Sequence, residues 1–191
     1  MTRIALLRHG HTPWNRAGRI QGRTDIPLDP DAAEALAHLS LPAPWQDAAI
    51  WSSPLKRAVQ TAELVARAPL TDPRLSEMNW GDWEGAHGTD LRADPDSGYR
   101  DMEHWGWDFT PPGGERLSDL RDRVLDWAEA QSGALVAVCH IGVMRVLLAH
   151  AHGWDFTGPA PFAVKRNRLF VVERSAKGWQ AWDTPVRLVA R

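Results

Sequence analysis

The sequence has one cysteine, no long apolar run and no large excess of charge, and each shortage excludes a class of protein. The single cysteine, Cys139, excludes a disulfide framework and a cysteine-rich zinc site. No stretch reaches the roughly 18 apolar residues that a membrane-spanning helix needs, so the sequence predicts no membrane association. The apolar run from Ile4 to Leu7 is too short for a signal peptide. We therefore expect a cytoplasmic protein.

The charges nearly cancel. The 22 Lys and Arg residues are opposed by 24 Asp and Glu residues, for a net charge of -2 over 191 residues. This balance argues against a nucleic-acid partner, because a phosphate backbone selects a basic surface. The hydrophobic content of 43% and charged content of 24% are typical of a globular protein and exclude disorder. The length predicts one domain, residues 1–191.

Three short apolar segments are each followed by a turn or a helix signal. Residues 4–7, 48–51 and 135–139 are apolar throughout, which is typical of strands that are buried on both faces of a parallel sheet. After the second segment, Ser53 is predicted to cap a helix whose first residue is Pro54 and which continues to about residue 67. Strands that alternate with helices predict a three-layer α/β/α sandwich with a mainly parallel sheet.

The remaining segments complete this α/β pattern. Apolar spacing predicts helices over residues 29–39, 117–128 and 142–151. Residues 168–173 and 179–183 flank a turn and predict an antiparallel hairpin at one edge of the sheet. The polar, Gly- and Pro-rich segment 79–114 interrupts the alternation and carries several of the 11 tryptophans, so we expect it to form an inserted cap.

Four residues with the chemistry of an anion site fall near the carboxyl ends of the predicted strands. Arg8 and His9 end the first strand, His140 follows the third, and Arg57 lies in the first turn of the helix after the second. Open α/β sheets bind ligands at this edge. Because arginine and free helix N–H groups both bind phosphoryl oxygens well, the pattern predicts a phosphate site.

Each of these residues also has a structural interpretation when taken alone. A histidine at a strand end is more often a hydrogen-bonded structural residue than a nucleophile, and a single helix arginine is usually solvated. The close pairs His9/His11 and His150/His152 lack the spacing of a helical zinc motif. We therefore expect no metal and no other cofactor.

Five sequence blocks together resemble a known family. They are LRHGHTPWN at 7–15, SSPLKRAVQTA at 52–62, LSEMNWGDWEG at 75–85, PGGE at 112–115 and VCHIGV at 138–143. In this order they resemble the phosphoglycerate-mutase-like branch of the histidine phosphatase superfamily. The chain is similar to its broad-specificity and α-ribazole phosphatase-like members. The resemblance covers about positions 3–183.

The resemblance implies a role for each matching residue. His9 is expected to be the nucleophile that becomes a phosphohistidine, and Glu77 the general acid and then base. Asp82 and Glu84 are expected to order the neighbouring loop instead. The catalytic set would be completed by Arg8, Arg57 and His140, which hold the phosphoryl oxygens. The substrate-binding set would be Arg8, Asn15, Gln21, Gly22, Arg57, His140 and Ile141, with Gln21 equally able to brace its loop.

These roles predict a phosphatase that hydrolyses a small organic phosphomonoester through a phosphohistidine. One alternative is a phosphoglycerate mutase, which returns the phosphoryl group to its substrate. Another is a binding protein that holds a phosphorylated metabolite without turnover. The expected partner is the small-molecule phosphomonoester itself, with a possible homodimer. We also expect some of the tryptophans of the cap to face the substrate.

Overall fold

The computed structural model describes residues Met1–Arg191. Strands and helices alternate along most of the chain. The strands are β1 (Thr2–Arg8), β2 (Leu39–Ser40), β3 (Ala49–Ser52), β4 (Leu70–Thr71), β5 (Gly133–Cys139), β6 (Arg168–Ser175), β7 (Gly178–Ala181), β8 (Val186–Arg187) and β9 (Val189–Ala190). The helices are α1 (Pro13–Arg16), α2 (Pro30–Ala37), α3 (Lys56–Val65), α4 (Gly88–Ala93), α5 (Leu117–Glu129) and α6 (Ile141–His152). Short 3-10 helices cover Pro73–Leu75, Gly81–Trp83 and Pro95–Ser97.

The central sheet has the strand order β4-β3-β5-β1-β6-β7, with β8 also paired to β6. The strands β4, β3, β5 and β1 are parallel, whereas β6 is antiparallel to β1 and forms a hairpin with β7. The predicted mainly parallel sheet with an antiparallel edge is thus confirmed. The strands β2, β4, β8 and β9 were not predicted, because two residues are too few to show a hydrophobic period.

Apolar side chains project from both faces of the sheet and pack into two separate hydrophobic cores. In β1, Ile4 and Leu6 belong to the larger core, with helices α5 and α6. Ala5 and Leu7 belong to the other core, which α2 and α3 cover. Burial on both faces explains why this strand is apolar at every position rather than at every second one. The three-layer architecture is confirmed.

Helix α3 begins later than predicted. Its first residue is Lys56 rather than Pro54. The N-cap residue is Leu55, whose side chain makes no capping hydrogen bond. Instead the Lys56 amide donates to Asp25 Oδ1 at 2.8 Å, and Ser53 Oγ accepts from the Leu55 amide. A carboxylate 31 residues away therefore satisfies an amide that a local cap was expected to satisfy.

The segment 79–114 is closed at its base and has an aromatic interior. Asn79 and Glu115, at its two ends, are joined by a backbone bond from Glu115 N to Asn79 O and by Asn79 N donating to the Glu115 carboxylate. Trp105 stacks on Phe109 with ring centroids 4.5 Å apart. Both rings belong to the same core as Ile4 of β1. Aromatic packing thus holds this segment on the sheet.

Near its start, this segment makes a turn that only glycine can make. Gly81 has a φ of 53°, and a β-carbon on it would lie 2.1 Å from the carbonyl oxygen of Pro112. The close approach lets the Asp82 amide donate to that carbonyl at 2.8 Å.

No helix combines the length and the apolar content that crossing a membrane would require.

Candidate active site

The parallel pairing of β1 with β5 brings two histidines together. Arg8 lies opposite Cys139 in the register, and the His9 amide donates to the Cys139 carbonyl at 3.0 Å. The next residue on each strand is therefore a histidine at the same edge of the sheet. The ring centroids of His9 and His140 are 5.1 Å apart.

A cavity of about 190 Å³ opens over these strand ends. Six of the predicted site residues line it: Arg8, His9, Asn15, Gln21, Glu77 and Ile141. Arg57 and His140 are fully buried directly behind this wall, close enough for the Arg57 charge to act on both histidines. The structure therefore gathers residues from four of the five sequence blocks, together with Gln21, at one place.

The hydrogen bonding of His9 selects one of its two tautomers. Its Nδ1 lies 2.6 Å from the carbonyl oxygen of Gly10, which can only accept, so Nδ1 carries the proton. Nε2 is then the unprotonated nitrogen, and it has no partner within the protein. Burial lowers the pKa of His9 well below its ordinary value, and the positive charges of Arg57 and Arg8 lower it further. His9 is thus a neutral imidazole with a free nucleophilic nitrogen.

Arg57 is held by two backbone carbonyls. Its Nη1 donates to Thr24 O at 3.0 Å and its Nη2 to Gly22 O at 2.7 Å. These bonds orient the guanidinium, while its buried Nε has no partner in the protein. Arg8 likewise has a buried, unpartnered Nε, and burial lowers its pKa to about 9, with the charge of Arg166 adding to the effect.

His140 is the most isolated polar side chain of the site. It is fully buried, and neither ring nitrogen has a hydrogen-bond partner in the protein. Burial lowers its pKa well below the ordinary value, with the charge of Arg57 as the next cause. An unpartnered buried donor costs about 1–3 kcal/mol, so a cluster of them is stable only where a ligand accepts their hydrogen bonds. An anion with several oxygens, such as a phosphoryl group, suits this set.

Asn15 and Gln21 each use their oxygen within the protein and keep their amino group free. Asn15 Oδ1 accepts from Arg166 Nη2 at 2.9 Å and from the Thr12 amide. Gln21 Oε1 accepts from Thr12 Oγ1 at 2.7 Å, and its buried Nε2 has no partner. Both side chains therefore present donors to the cavity, as a site for an anion requires.

Glu77 is buried at the cavity wall and is held by two backbone amides. Its Oε1 accepts from the Met78 amide at 2.8 Å, and its Oε2 accepts from the Gly142 amide at 3.1 Å, in the first turn of α6. Its backbone carbonyl accepts from Arg23 Nε and Arg123 Nη2. The bonds from the two amides fix the carboxyl group at the cavity that the His9 ring also lines.

Glu84 has the loop-ordering role that was predicted for it. Its carboxylate accepts from the amides of Arg23, Thr24 and Trp80 and from the Thr24 hydroxyl. A β-carbon on Gly22 would lie 2.2 Å from Glu84 Oε1, so the glycine allows these two loops to meet. Gly22 does not line the cavity; it acts on the site through Arg57.

Two arginines of the site were not found from the sequence. Arg166 Nε donates to His9 O at 3.2 Å and its Nη2 reaches Asn15, across 157 and 151 residues of chain. Arg145 lines the cavity from α6. The signal for Arg145 was present: it is the one charged residue in an otherwise apolar stretch, four residues after Ile141, and residues at that spacing share a helix face. Arg166 had no local signal.

Part of the cavity wall is aromatic. Trp80, Tyr99 and Trp105 come from the segment 79–114 and line the cavity, together with Ile20 and Arg19. Three aromatic residues of the cap thus face the site.

Two other features bear on the chemistry. Cys139 is fully buried, and burial raises the pKa of its thiol, so it packs as an apolar residue. The structure contains no group of three or more His, Cys, Asp or Glu residues that could hold a metal ion.

A second cavity, of about 380 Å³, lies on the far side of β6 near Phe162 and Trp182. It is larger than the cavity at the strand ends, but it contains none of the unpartnered buried donors described above. The smaller cavity is therefore the candidate active site.

The fold and this site are those of a histidine phosphatase, and comparisons with known proteins agree. The sequence profile of the histidine phosphatase superfamily, branch 1, matches residues 4–183. The chain is 34% identical to a glucosyl-3-phosphoglycerate phosphatase of Mycolicibacterium vanbaalenii over 77% of this chain and 72% of that protein. The chain belongs to the histidine phosphatase superfamily.

Other similar proteins include a mutase and a structural relative. The chain is 34% identical to the probable phosphoglycerate mutase GpmB of Escherichia coli over 65% of this chain and 60% of that protein. The crystal structure of TTHB049 from Thermus thermophilus superposes with a TM-score of 0.75 and 33% identity, covering 99% of both chains. The predicted family and fold are confirmed.

Proposed function

We propose that this enzyme is a phosphatase that hydrolyses a small organic phosphomonoester through a phosphohistidine at His9. The observation that carries the proposal is the free Nε2 of a neutral His9, which lines a cavity between unpartnered donors of Arg8 and His140. Phosphoryl transfer requires a nucleophile without a proton and a set of hydrogen-bond donors, arginine cations among them, that holds the phosphoryl oxygens.

In the first step, His9 Nε2 attacks phosphorus and the bond from phosphorus to the ester oxygen breaks. Arg8, Arg57 and His140 hold the three equatorial oxygens, where charge accumulates in the transition state. Glu77 gives its proton to the departing oxygen, so that an alcohol leaves rather than an alkoxide. The products are phosphorylated His9, an ionised Glu77 and the free alcohol.

In the second step, a water molecule replaces the alcohol. Glu77 takes a proton from this water as its oxygen attacks phosphorus, and the bond to His9 Nε2 breaks. Inorganic phosphate leaves, His9 is neutral again and Glu77 has regained its proton. No group outside the protein, the ester and water is needed to balance these steps.

Asn15, Gln21 and Ile141 are proposed to contact the substrate, and Gly22 to act through Arg57. The free amino groups of Asn15 and Gln21 support binding of phosphoryl oxygens. The substrate is proposed to be a small molecule, as the relative named for glucosyl-3-phosphoglycerate supports.

A phosphoglycerate mutase is the second candidate, and the similarity to GpmB favours it. A mutase must shield its phosphohistidine from water until the phosphoryl group returns to the substrate. In this protein the cavity wall includes an exposed Arg19 and a partly exposed Gln21 and Tyr99. Water therefore has a path to phosphorylated His9, which favours hydrolysis.

One enzyme sample assayed in two ways tests the choice. We expect phosphate release from several phosphomonoesters and negligible interconversion of 2- and 3-phosphoglycerate, even with 2,3-bisphosphoglycerate present. Efficient interconversion with little phosphate release would establish the mutase instead. Tight binding of phosphomonoesters with neither reaction would establish a binding protein.

We further propose that residues 1–191 form a single domain with the cap, residues 79–114, inserted into it. The shared core of the cap tryptophans and β1 supports one cooperative unit, which should unfold in one transition. A cytoplasmic location and a homodimer are proposed from the sequence, and cell fractionation and light scattering test them.

A further inference from the structure

Arg145 has an unusual position for a charged side chain. It lies on α6, one helical turn after Ile141, and both residues line the cavity. One turn of α-helix advances about 5.4 Å. The start of α6 lies beside the phosphoryl cradle, the set of Arg8, Arg57 and His140 that is proposed to hold the phosphoryl oxygens. His140 is the N-cap residue of α6, and the Gly142 amide donates to Glu77. Arg145 therefore lines the cavity one helical turn further along α6 than Ile141.

The guanidinium of Arg145 has no anionic partner in the protein. None of the eight ion pairs of the structure includes it. The guanidinium instead lies over an aromatic ring: its Cζ is 6.0 Å from the centre of the Trp105 ring. Burial lowers the pKa of Arg145 below its ordinary value, with the charge of Glu77 opposing this. The cost of withdrawing this charge from water is thus only partly offset by the protein itself.

The other arginines near the cavity are already engaged. Arg57 donates to two backbone carbonyls, Arg166 donates to His9 and Asn15, and Arg19 Nη1 donates to the Gly85 carbonyl. Arg8 lies beside His9 in the phosphoryl cradle. Arg145 is the cation that remains available for a second negative group.

Building on the proposed phosphatase function, we propose that Arg145 binds a carboxylate on the alcohol portion of the substrate. The preferred substrate class is therefore phosphorylated hydroxy acids rather than phosphorylated neutral alcohols. A carboxylate fits one guanidinium, because its two oxygens match the planar fork of N–H donors. The contact with the Trp105 ring uses none of these N–H donors in a hydrogen bond, so they remain for the ligand.

Two ligands of matched skeleton isolate this interaction. 3-Phosphoglycerate and glycerol 1-phosphate share three carbons and one phosphate, and they differ in a carboxylate against a hydroxymethyl group. Binding is measured by calorimetry in the His9→Ala background, so that neither ligand can be consumed. We expect 3-phosphoglycerate to bind more tightly, and Arg145→Met to reduce that preference by about 30-fold, as a charge-assisted bond implies.

Two further variants separate binding from structure. Arg121→Met is the matched control, since Arg121 also lies over a tryptophan, Trp107, at 4.8 Å but does not line the cavity. It should leave the preference unchanged. Arg145→Lys keeps the charge without the fork and should recover part of the preference.

The outcomes are separable from those of the proposed function. The proposal is overturned if protein with Arg145 intact binds the two ligands equally tightly. It is also overturned if Arg145→Met lowers the affinity for both ligands by the same factor. Either result leaves the phosphatase proposal intact, because hydrolysis of p-nitrophenyl phosphate by the wild-type enzyme tests that separately. Conversely, the wild-type protein could fail to hydrolyse p-nitrophenyl phosphate and still bind 3-phosphoglycerate more tightly in a way that depends on Arg145. That result would refute the phosphatase proposal and retain the carboxylate site.

Discussion

Glu77 and Gly142 lie 65 residues apart, and the Gly142 amide donates to Glu77 Oε2 at 3.1 Å. A β-carbon on Gly142 would lie 2.3 Å from the other carboxylate oxygen, Oε1. The helix that carries His140 as its N-cap residue thus also positions the proposed acid. The contact requires both an amide without an intrahelical partner in the first turn of α6 and the absence of a side chain there.

This contact makes Gly142→Ala a test of how Glu77 is positioned. The methyl group should displace the carboxylate and lower kcat by at least about 10-fold for alkyl phosphates, whose leaving oxygen needs a proton. Thermal stability should change little, because alanine favours a helix by up to about 1 kcal/mol over glycine and offsets the lost hydrogen bond. Kinetics and a melting curve on the same sample check both parts. A large drop in Tm would mean that the glycine serves the fold.

His9→Ala should remove turnover while the fold and phosphate binding persist. Among the residues that line the cavity, only His9 has an unprotonated imidazole nitrogen, so we expect no other residue to form the covalent intermediate. Brief incubation of the wild-type enzyme with substrate, followed by a quench that spares acid-labile phosphate, should leave phosphate on His9. Mass spectrometry locates the label. Label on another residue, or residual activity of the variant, contradicts the assignment.

Glu77→Gln keeps the shape of the side chain but removes its proton. We expect a loss of roughly 10²-fold or more for alkyl phosphates and a much smaller loss for p-nitrophenyl phosphate, whose leaving group needs no proton. Glu84→Gln is the matched control, since that carboxylate binds loop amides and not the ligand. Its losses should be similar for both substrates. Equal losses in Glu77→Gln would make Glu77 a positioning residue.

The buried histidines make stability depend on pH. The pKa values of His9 and His140 are lowered in the folded protein, so below about pH 6.5 the unfolded chain binds protons that the folded one does not. The free energy of unfolding should therefore fall as pH decreases through this value. Each histidine contributes about 1 kcal/mol of loss between pH 6.5 and 5.5.

Denaturant unfolding at pH 7.5, 6.5 and 5.5 measures this slope. The variant His140→Gln should lose about 1 kcal/mol of the wild-type change, and the double variant with His9→Gln should lose about twice as much. His11 and His150, whose pKa values are also lowered, contribute to the change that remains. A slope that neither substitution alters would assign the pH dependence to other groups. The same lowered pKa of His9 predicts that the acid limb of kcat/KM lies below pH 6.5.

The sequence by itself determined the main strands of the sheet and most residues of the candidate site. The apolar runs of β1, β3 and β5 could only be strands buried on both faces, and the carboxyl ends of parallel strands meet at one edge. His9 and His140 follow two such ends directly, so their meeting depends on no detail of side-chain packing. Arg57 and Glu77 were identified because their blocks match a known family, and the structure brings both to the same place.

Only the tertiary structure decided the contacts that join distant segments. Asp25 satisfies the start of α3, Arg166 braces His9 and Asn15, and the Gly142 amide holds Glu77. The availability of Arg145 likewise depends on which carboxylates lie near it, and in the folded chain none forms an ion pair with it. Local periodicity reports which face of a helix or strand is buried. It carries no record of which polar group lies opposite, because that partner is chosen by packing across the whole chain.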